Sequence, residues 1–440
     1  MSIQTRPAVL QRELGLWGAI MMGMGSIVGT GVFVSIGIAA GVAGPAVIVA
    51  VVVAALVAAC NGLSSAQLAA SHAVSGGTYE YGYRYLTPWL GFTAGWMFLL
   101  AKSASAATAA LGFAGYLLNA FDGDGQRWLV GIALVAVGVL TLIVLSGIRR
   151  SNVTNIVIVS VTLGALVFFV LAGLPVVVAH GEANFIPFFH SPAGNSGNPW
   201  QALLHASALM FVAYTGYGRI ATMGEEVREP RRIIPRAIIV TMVLTMLLYT
   251  AVAVVGIGAV GAATLSEAAT QQAAPLVTAA RSFAFPGSAQ ILAIGAITAM
   301  LGVLLNLLLG LSRVLLAMGR RGDMPRVLGR LNATGATPTA AVIVVGVAIA
   351  GLALIGNVRT TWSFSAFTVL IYYALTNLAA LRLPPAERLY PRWIAWAGLV
   401  ACLFLAFWVD WQIWLVGLGL IVVGLLWHLA AQRLAKGVDR

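Results

Sequence analysis

The sequence predicts an all-α integral membrane protein with about twelve transmembrane helices. Of its 440 residues, 60% are hydrophobic and only 9% are charged, which is too little polar surface for a soluble protein of this length. The apolar residues form blocks of about 20 or more, the length that a helix needs to cross a hydrocarbon core of about 30 Å. We expect these helices to pack as one transmembrane domain over residues 1–440.

The boundaries of the predicted spans follow from the segments between the apolar blocks, which carry proline, glycine or charged residues. None of these segments is long enough to separate two domains. The predicted spans are 14–42, 45–69, 88–120, 128–147, 153–179, 200–224, 236–262, 288–318, 338–356, 361–381, 393–409 and 411–432.

The distribution of basic residues predicts the orientation of the chain. With a cytoplasmic N-terminus and twelve spans, 20 of the 25 Lys and Arg residues fall on the cytoplasmic side and 3 on the opposite side. Such an excess is typical of the cytoplasmic loops of membrane proteins. The sequence therefore predicts a multi-pass protein of the cell (inner) membrane with both termini in the cytoplasm.

Several functional classes are disfavoured by the sequence. The net charge of +12 comes from short basic clusters between apolar blocks, without the continuous basic stripe that nucleic-acid binding requires. Cys60 and Cys402 lie inside apolar blocks, and the five histidines are scattered, so no disulfide framework, metal site or cofactor is expected. An enzyme or a channel is the less favoured alternative, and saturable uptake into liposomes would separate a carrier from both.

Two predicted spans contain glycine-rich interruptions. The first span holds the run MGMGSIVGTGVF, and the sixth holds FVAYTGYGRIATMGEE with Gly216 and Gly218. Paired glycine-broken helices at matching positions of two halves indicate a transporter's binding site, because irregular backbone within a membrane must line a cavity or be buried in protein. The alternative is that these glycines only permit close helix packing.

Four segments in register resemble a known family. They are GSIVGTGVF at 25–33, VSGGTYEYGYRYL at 74–86, GYGRIATMGEEVREPRRIIPRAI at 216–238 and SRVLLAMGRRGDMP at 312–325. In order and spacing they resemble the amino acid–polyamine–organocation superfamily, and within it the amino acid permeases. The resemblance extends over nearly the whole chain, from Glu13 to about Arg392.

The resemblance implies a LeuT-like fold and a transport function. Two inverted five-helix repeats, at about 14–180 and 200–382, would contain broken helices 1 and 6, and two extra helices would follow at 393–432. The implied protein is a secondary transporter that moves amino acids by alternating access, with a proton or a sodium ion as candidate coupling ion. The alternatives are an exporter or exchanger, or a permease for polyamine or ethanolamine-type amines.

The resemblance also implies the residues of the substrate site. Amides of the broken helix 1 would hold the substrate carboxylate, as half-helix N-termini hold anions. Carbonyls of Ile27, Val212 and Thr215 would meet the substrate ammonium, and helix 3 would form the far wall. The implied substrate-binding residues are Ser26, Ile27, Val28, Gly29, Thr30, Gly31, Ala101, Lys102, Ala106, Val212, Tyr214, Thr215, Gly216, Tyr217 and Asn306. For Tyr217 a packing role is an equal alternative.

Three residues are candidates for an inner gate. Glu225 or Glu226 would pair with a basic partner near Arg12, and Arg219 would change its contacts during transport. The alternative interpretation is a solvated cytoplasmic loop whose ion pairs contribute little, with Arg219 extending its long side chain to the membrane surface.

Lys102 is the candidate coupling residue. It lies about fifteen residues into the third span, near the middle of the bilayer at 1.5 Å per residue, where ionisable residues are functional candidates. Some relatives carry a lysine in helix 5 instead, and the matching position here is Thr162. No acidic residue lies in the middle of a span, so we expect Lys102 to gain and lose a proton as the cavity opens. A lysine kept for structural reasons is the alternative.

Overall fold

A computed structural model describes the chain over residues 15–72, 76–120, 126–147, 152–189, 198–221, 227–332 and 337–438. Helices make up most of these residues, and no strand occurs among them. The first eight α-helices are α1 (Leu16–Ile27), α2 (Ile36–Ala43), α3 (Val47–Ser71), α4 (Thr78–Tyr85), α5 (Pro88–Ala120), α6 (Leu129–Leu145), α7 (Asn152–His180) and α8 (Pro199–Tyr214). The next eight are α9 (Gly218–Ala221), α10 (Pro230–Glu267), α11 (Pro275–Ala280), α12 (Ser288–Arg321), α13 (Thr339–Ala353), α14 (Val358–Leu381), α15 (Arg392–Ala406) and α16 (Trp411–Val438).

The lengths and composition of these helices fit a multi-pass membrane protein. Within the described ranges, 7 helical stretches are long and apolar enough to cross a membrane, and α1, α6, α13 and α15 are shorter apolar helices. Every predicted span contains at least one helix of the structure. Apolar side chains such as Leu142, Leu171, Val347 and Leu426 point outward and are more than half exposed, as a lipid-facing surface requires. The predicted all-helical membrane class is confirmed.

The structure corrects two of the predicted boundaries. Helix α10 begins at Pro230 rather than at residue 236, and α4 forms within a segment that the sequence assigned to a connection. Proline is tolerated in the first turn of a helix because the amide that it lacks would have no partner there. The basic residues that follow Pro230 therefore extend α10 beyond its apolar part.

Both predicted interruptions are present. In the first span, Val28 is extended, with φ −79° and ψ 103°, and the helix resumes where the amides of Val32 and Phe33 bond to the carbonyl of Gly29. A turn of π-helix at Gly31–Ser35 then leads into α2. In the sixth span, a 3-10 turn at Thr215–Tyr217 separates α8 from the short α9.

The glycines at the two interruptions are required by close contact rather than by an unusual backbone angle. Neither Gly31 nor Gly216 has a positive φ. A Cβ on Gly216 would lie 2.2 Å from the carbonyl oxygen of Ser26, and one on Gly31 would lie 2.7 Å from Cα of Ala213. Contacts that short cannot form, so the breaks cross with their backbones touching.

Polar side chains join α5 to α14 inside the bundle. Ser105 and Ser365 hydroxyls lie 2.7 Å apart, and those of Thr108 and Thr361 are also 2.7 Å apart. Hydrogen bonds between helices within a membrane contribute about 0.6–2 kcal/mol each. These bonds orient the face of α5 that contains Lys102.

A buried carboxylate ties α4, the end of α12 and α16 together. Asp323 accepts hydrogen bonds from the phenols of Tyr79 at 2.6 Å and Tyr83 at 2.8 Å, and its Oδ1 lies 3.3 Å from Nδ1 of His428. Trp427 donates to its backbone carbonyl at 2.9 Å. Burial, and then the hydrogen bond to Asp323, raises the pKa of each phenol above its ordinary value, so both remain donors.

We predict that Gly216→Ala destabilises the protein strongly, because the added methyl group must displace the backbone of the first span. Overpacking of this kind typically costs about 1–3 kcal/mol. The measurement is the melting temperature of the purified protein in detergent. Gly138→Ala is the matched control, because a Cβ there meets nothing within 4 Å. Equal melting temperatures for the two variants would contradict the crossing of the breaks.

Candidate functional site

Two neighbouring cavities lie where the interrupted spans cross. The inner cavity, of about 50 Å³, is lined at the two breaks and by Lys102 and Trp362. Its lining residues at the breaks are Ser26, Ile27, Thr30, Gly31, Val212, Ala213, Thr215 and Gly216. The outer cavity, of about 190 Å³, shares Ser26, Lys102, Thr215, Gly216, Val303 and Leu307 with it and extends towards Gly76 and Gly77. Because both cavities share these residues, a ligand in either one lies beside the two helix breaks.

Two residues at the first-span break, Thr30 and Gly31, line the inner cavity. The amides of Thr30 and Gly31 precede the first amides that bond within the resumed helix, and such leading amides have no partner in their own helix. Thr30 is only 4% exposed, and in the described part of the chain its hydroxyl has no hydrogen-bond partner. This end of the cavity is therefore suited to an anionic or acceptor group.

Lys102 is the charged residue that lines both cavities. Its amine lies 2.7 Å from the hydroxyl oxygen of Thr215, and that hydroxyl lies 2.8 Å from the carbonyl of Val212. Because the single hydroxyl proton is donated to Val212, the amine of Lys102 must be the donor to Thr215. This bond connects α5 to the second break.

The carbonyls freed at the breaks already have donors from the protein. The phenol of Tyr249 donates to the carbonyl of Ile27 at 2.8 Å, and the phenol of Tyr373 donates to that of Thr215 at 3.0 Å. The carbonyl of Val212 accepts from Thr215. A carbonyl oxygen has two lone pairs, so the carbonyls of Ile27 and Thr215 each retain a place for a ligand donor. The carbonyl of Val212 also accepts from the backbone amide of Thr215 and retains none.

The structure distributes the predicted site residues unequally. Of the fifteen substrate-binding residues predicted, nine line the cavities, and Asn306 does so in the outer one only. The residues that line neither cavity are Val28, Gly29, Ala101, Ala106, Tyr214 and Tyr217.

Packing explains where several of these residues are. The phenol of Tyr214 donates to the carbonyl of Val51 at 3.2 Å, and the Tyr217 ring packs 5.3 Å from that of Tyr373. Ala101 offers its carbonyl to Ser365 at 2.9 Å. For Tyr217, the geometry fits the packing alternative.

The structure describes Arg219 and Thr162 but not the two glutamates predicted for the gate. Arg219 lines the outer cavity, whereas Glu225 and Glu226 lie outside the described residues. Thr162, which the family resemblance matches to a lysine position, donates to the carbonyl of Ile158 at 2.8 Å and lines neither cavity.

Several lining residues have no signal in the sequence motifs. Trp362 lines the inner cavity and donates to the carbonyl of Leu209 at 2.9 Å. Tyr373, on the same helix α14, lines the outer cavity, and Ser105 lines the inner one. Because α14 and the part of α5 that contains Ser105 lie outside the four family motifs, no local pattern distinguishes these residues from packing residues. The sequence feature that could have pointed to Trp362 and Tyr373 is the set of polar and aromatic side chains in the otherwise hydrophobic α14.

A larger cavity, of about 330 Å³, lies elsewhere, between Asn119 at the end of α5 and residues 277–290. Its lining includes no residue of either helix break. Size alone therefore does not mark the site, whereas the convergence of unpaired donors does.

Comparison with known proteins gives the family. An uncharacterized transporter of Mycobacterium tuberculosis is 39% identical over 401 residues, which cover 91% of this chain and 87% of the relative. A branched-chain amino acid permease of Bacillus subtilis is 27% identical over 75% of this chain and 71% of its own length. A vacuolar cationic amino acid transporter of Arabidopsis thaliana is 27% identical over 80% and 60%, respectively. The family model for amino acid permeases matches residues 18–437, so the chain belongs to the amino acid permease family of membrane transporters.

Proposed function

We propose that the protein is a secondary transporter that moves amino acids across the cell membrane by alternating access. The observation that carries this proposal is the difference between donors and acceptors at the breaks. Thr30 and Gly31, whose amides precede the first amides bonded in the resumed helix, line the inner cavity, whereas the freed carbonyls already accept protein hydrogen bonds. Such a site favours a carboxylate.

Each part of an amino acid has a complementary region in this proposal. The carboxylate binds the amides of Thr30 and Gly31 and the amine of Lys102. The ammonium group donates to the second lone pairs of the Ile27 and Thr215 carbonyls. The side chain extends past the apolar wall that Val303 and its neighbours form. Small ligands commonly bind in pockets with this combination of apolar walls and a few convergent polar groups.

The proposed transport cycle uses the predicted architecture. The twelve spans form two inverted five-helix repeats and two further helices, with both termini in the cytoplasm. With the N-terminus in the cytoplasm, the segment after the second span, which contains Gly76 and Gly77, is cytoplasmic. The outer cavity extends towards these glycines and therefore lies on the cytoplasmic side of the inner cavity. Arg219, Glu225 and Glu226 then belong to the inner gate. Movement of one repeat against the other would open the site alternately to each side.

The family and two of its named members support an amino acid as substrate. One relative is named for branched-chain amino acids and another for cationic ones. Sequence similarity therefore supports an amino acid as the substrate but does not indicate which side chain the substrate carries. The direction of transport, whether import, export or exchange, depends on the gradients and on the coupling ion. A polyamine or ethanolamine-type amine is the competing substrate class, and it lacks the carboxylate that the site favours.

We predict that an amino acid binds only with a free carboxylate. Leucine should raise the melting temperature of the purified protein, since a ligand of the native state stabilises it. Leucine methyl ester and isoamylamine should bind at least about tenfold more weakly, because a hydrogen bond to a charged group contributes about 1.5–3 kcal/mol. If isoamylamine binds as well as any amino acid tested, the amine alternative replaces this proposal.

We further propose that Lys102 exchanges the coupling proton. Lys102→Met and Lys102→Arg should both remove the pH dependence of uptake into proteoliposomes, because methionine carries no proton and arginine does not release one. Lys102→Arg should retain more substrate affinity, since it preserves the positive charge. A wild-type pH profile in either variant would exclude Lys102 as the coupling group.

A further inference from the structure

We infer that Lys102 makes the site selective by charge, so that it accepts amino acids with neutral or acidic side chains and rejects those with cationic ones. This inference rests on the proposed function, because it names the class of amino acid for the same site. Lys102 is only 9% exposed and lines both cavities. A substrate in either cavity therefore lies beside its amine.

The hydrogen bonds of Lys102 show that its amine is available to an anion. A protonated lysine has three N–H donors, and one of them is used by Thr215. Within the described residues, no second protein acceptor bonds to the amine. A substrate carboxylate held by the amides of Thr30 and Gly31 would accept a hydrogen bond from one of the remaining N–H donors and would favour the protonated amine.

The other charged residues of the cavities have the same sign. Among the described lining residues, the ionised side chains beside Lys102 are Arg219 and Arg313 in the outer cavity, and no Asp or Glu lines either cavity. A cationic substrate side chain would therefore meet like charges and no described carboxylate. An acidic or neutral side chain meets no such penalty.

The size of the site makes this repulsion large. The two cavities are small, about 50 and 190 Å³, and Lys102 lines both, so a substrate side chain in either one stays near its amine. Two like charges about 6 Å apart, at an effective dielectric constant of about 20, repel enough to weaken binding on the order of 100-fold. The substrate carboxylate beside the Lys102 amine offsets part of this repulsion, so we expect at least about tenfold discrimination.

The test uses pairs of amino acids with matched shape and different charge. Norvaline and α,γ-diaminobutyrate differ by a terminal methyl group against an ammonium group, and norleucine and ornithine differ in the same way. Affinities are measured by thermal shift of the wild-type protein and by competition in proteoliposome counterflow. We expect the neutral member of each pair to bind at least about tenfold more tightly. Equal affinity within both pairs would overturn the inference.

Variants of Lys102 assign the effect to its charge. Lys102→Met should lower the ratio of neutral to cationic affinity towards one, even if both affinities fall, and Lys102→Arg should preserve the ratio. Retention of the full ratio in Lys102→Met would overturn the role of Lys102. If the wild-type protein binds and transports none of the neutral or cationic amino acids, the proposed function fails and the inference fails with it. Binding of neutral and cationic amino acids alike overturns the inference alone.

Discussion

The close crossing of two interrupted helices is the constraint on which the site depends. A side chain of any size at Gly216 would overlap the carbonyl of Ser26, and one at Gly31 would overlap Ala213. Only with glycine at both positions do the leading amides of one break and the 3-10 turn of the other reach the same cavity. Lys102 then bonds to Thr215 and holds α5 against the crossing. A substitution at Gly31 therefore affects packing as well as any ligand.

The crossing leaves donors and acceptors unequally satisfied, and this gives the site its chemical character. The phenol of Tyr116 donates to the carbonyl of Phe33, and that of Tyr249 donates to the carbonyl of Ile27. The bundle itself therefore supplies hydrogen-bond donors to the carbonyls that the interruptions free. Unpaired polar groups in an apolar interior cost several kcal/mol, and these bonds avoid that cost. The leading amides and the amine of Lys102 remain for a ligand. The site therefore favours an anionic group and disfavours an added cation.

Much of the fold could be predicted from the sequence, because apolar length and glycine interruptions are local signals. A helix of the structure lies in every predicted span, and both breaks are present. Local signals could not show that α10 begins at Pro230, since charged residues obscure the helical pattern there. Six predicted site residues line neither cavity, and Trp362 was missed. Both errors have the same cause. Which side of a helix faces a cavity depends on tertiary packing, and a helix buried on all sides carries no amphipathic pattern from which that side can be predicted.

The central claim is that substrate binds where the two breaks cross, and protection of an introduced cysteine tests it most directly. Val303, which lines both cavities, is replaced by cysteine in a chain whose Cys60 and Cys402 are changed to alanine, and Ser146→Cys at the exposed end of α6 serves as the control. The account predicts that leucine or norvaline slows labelling of Val303→Cys by a small thiol reagent and leaves the control unchanged. Transport of these amino acids without any protection of Val303→Cys would contradict it.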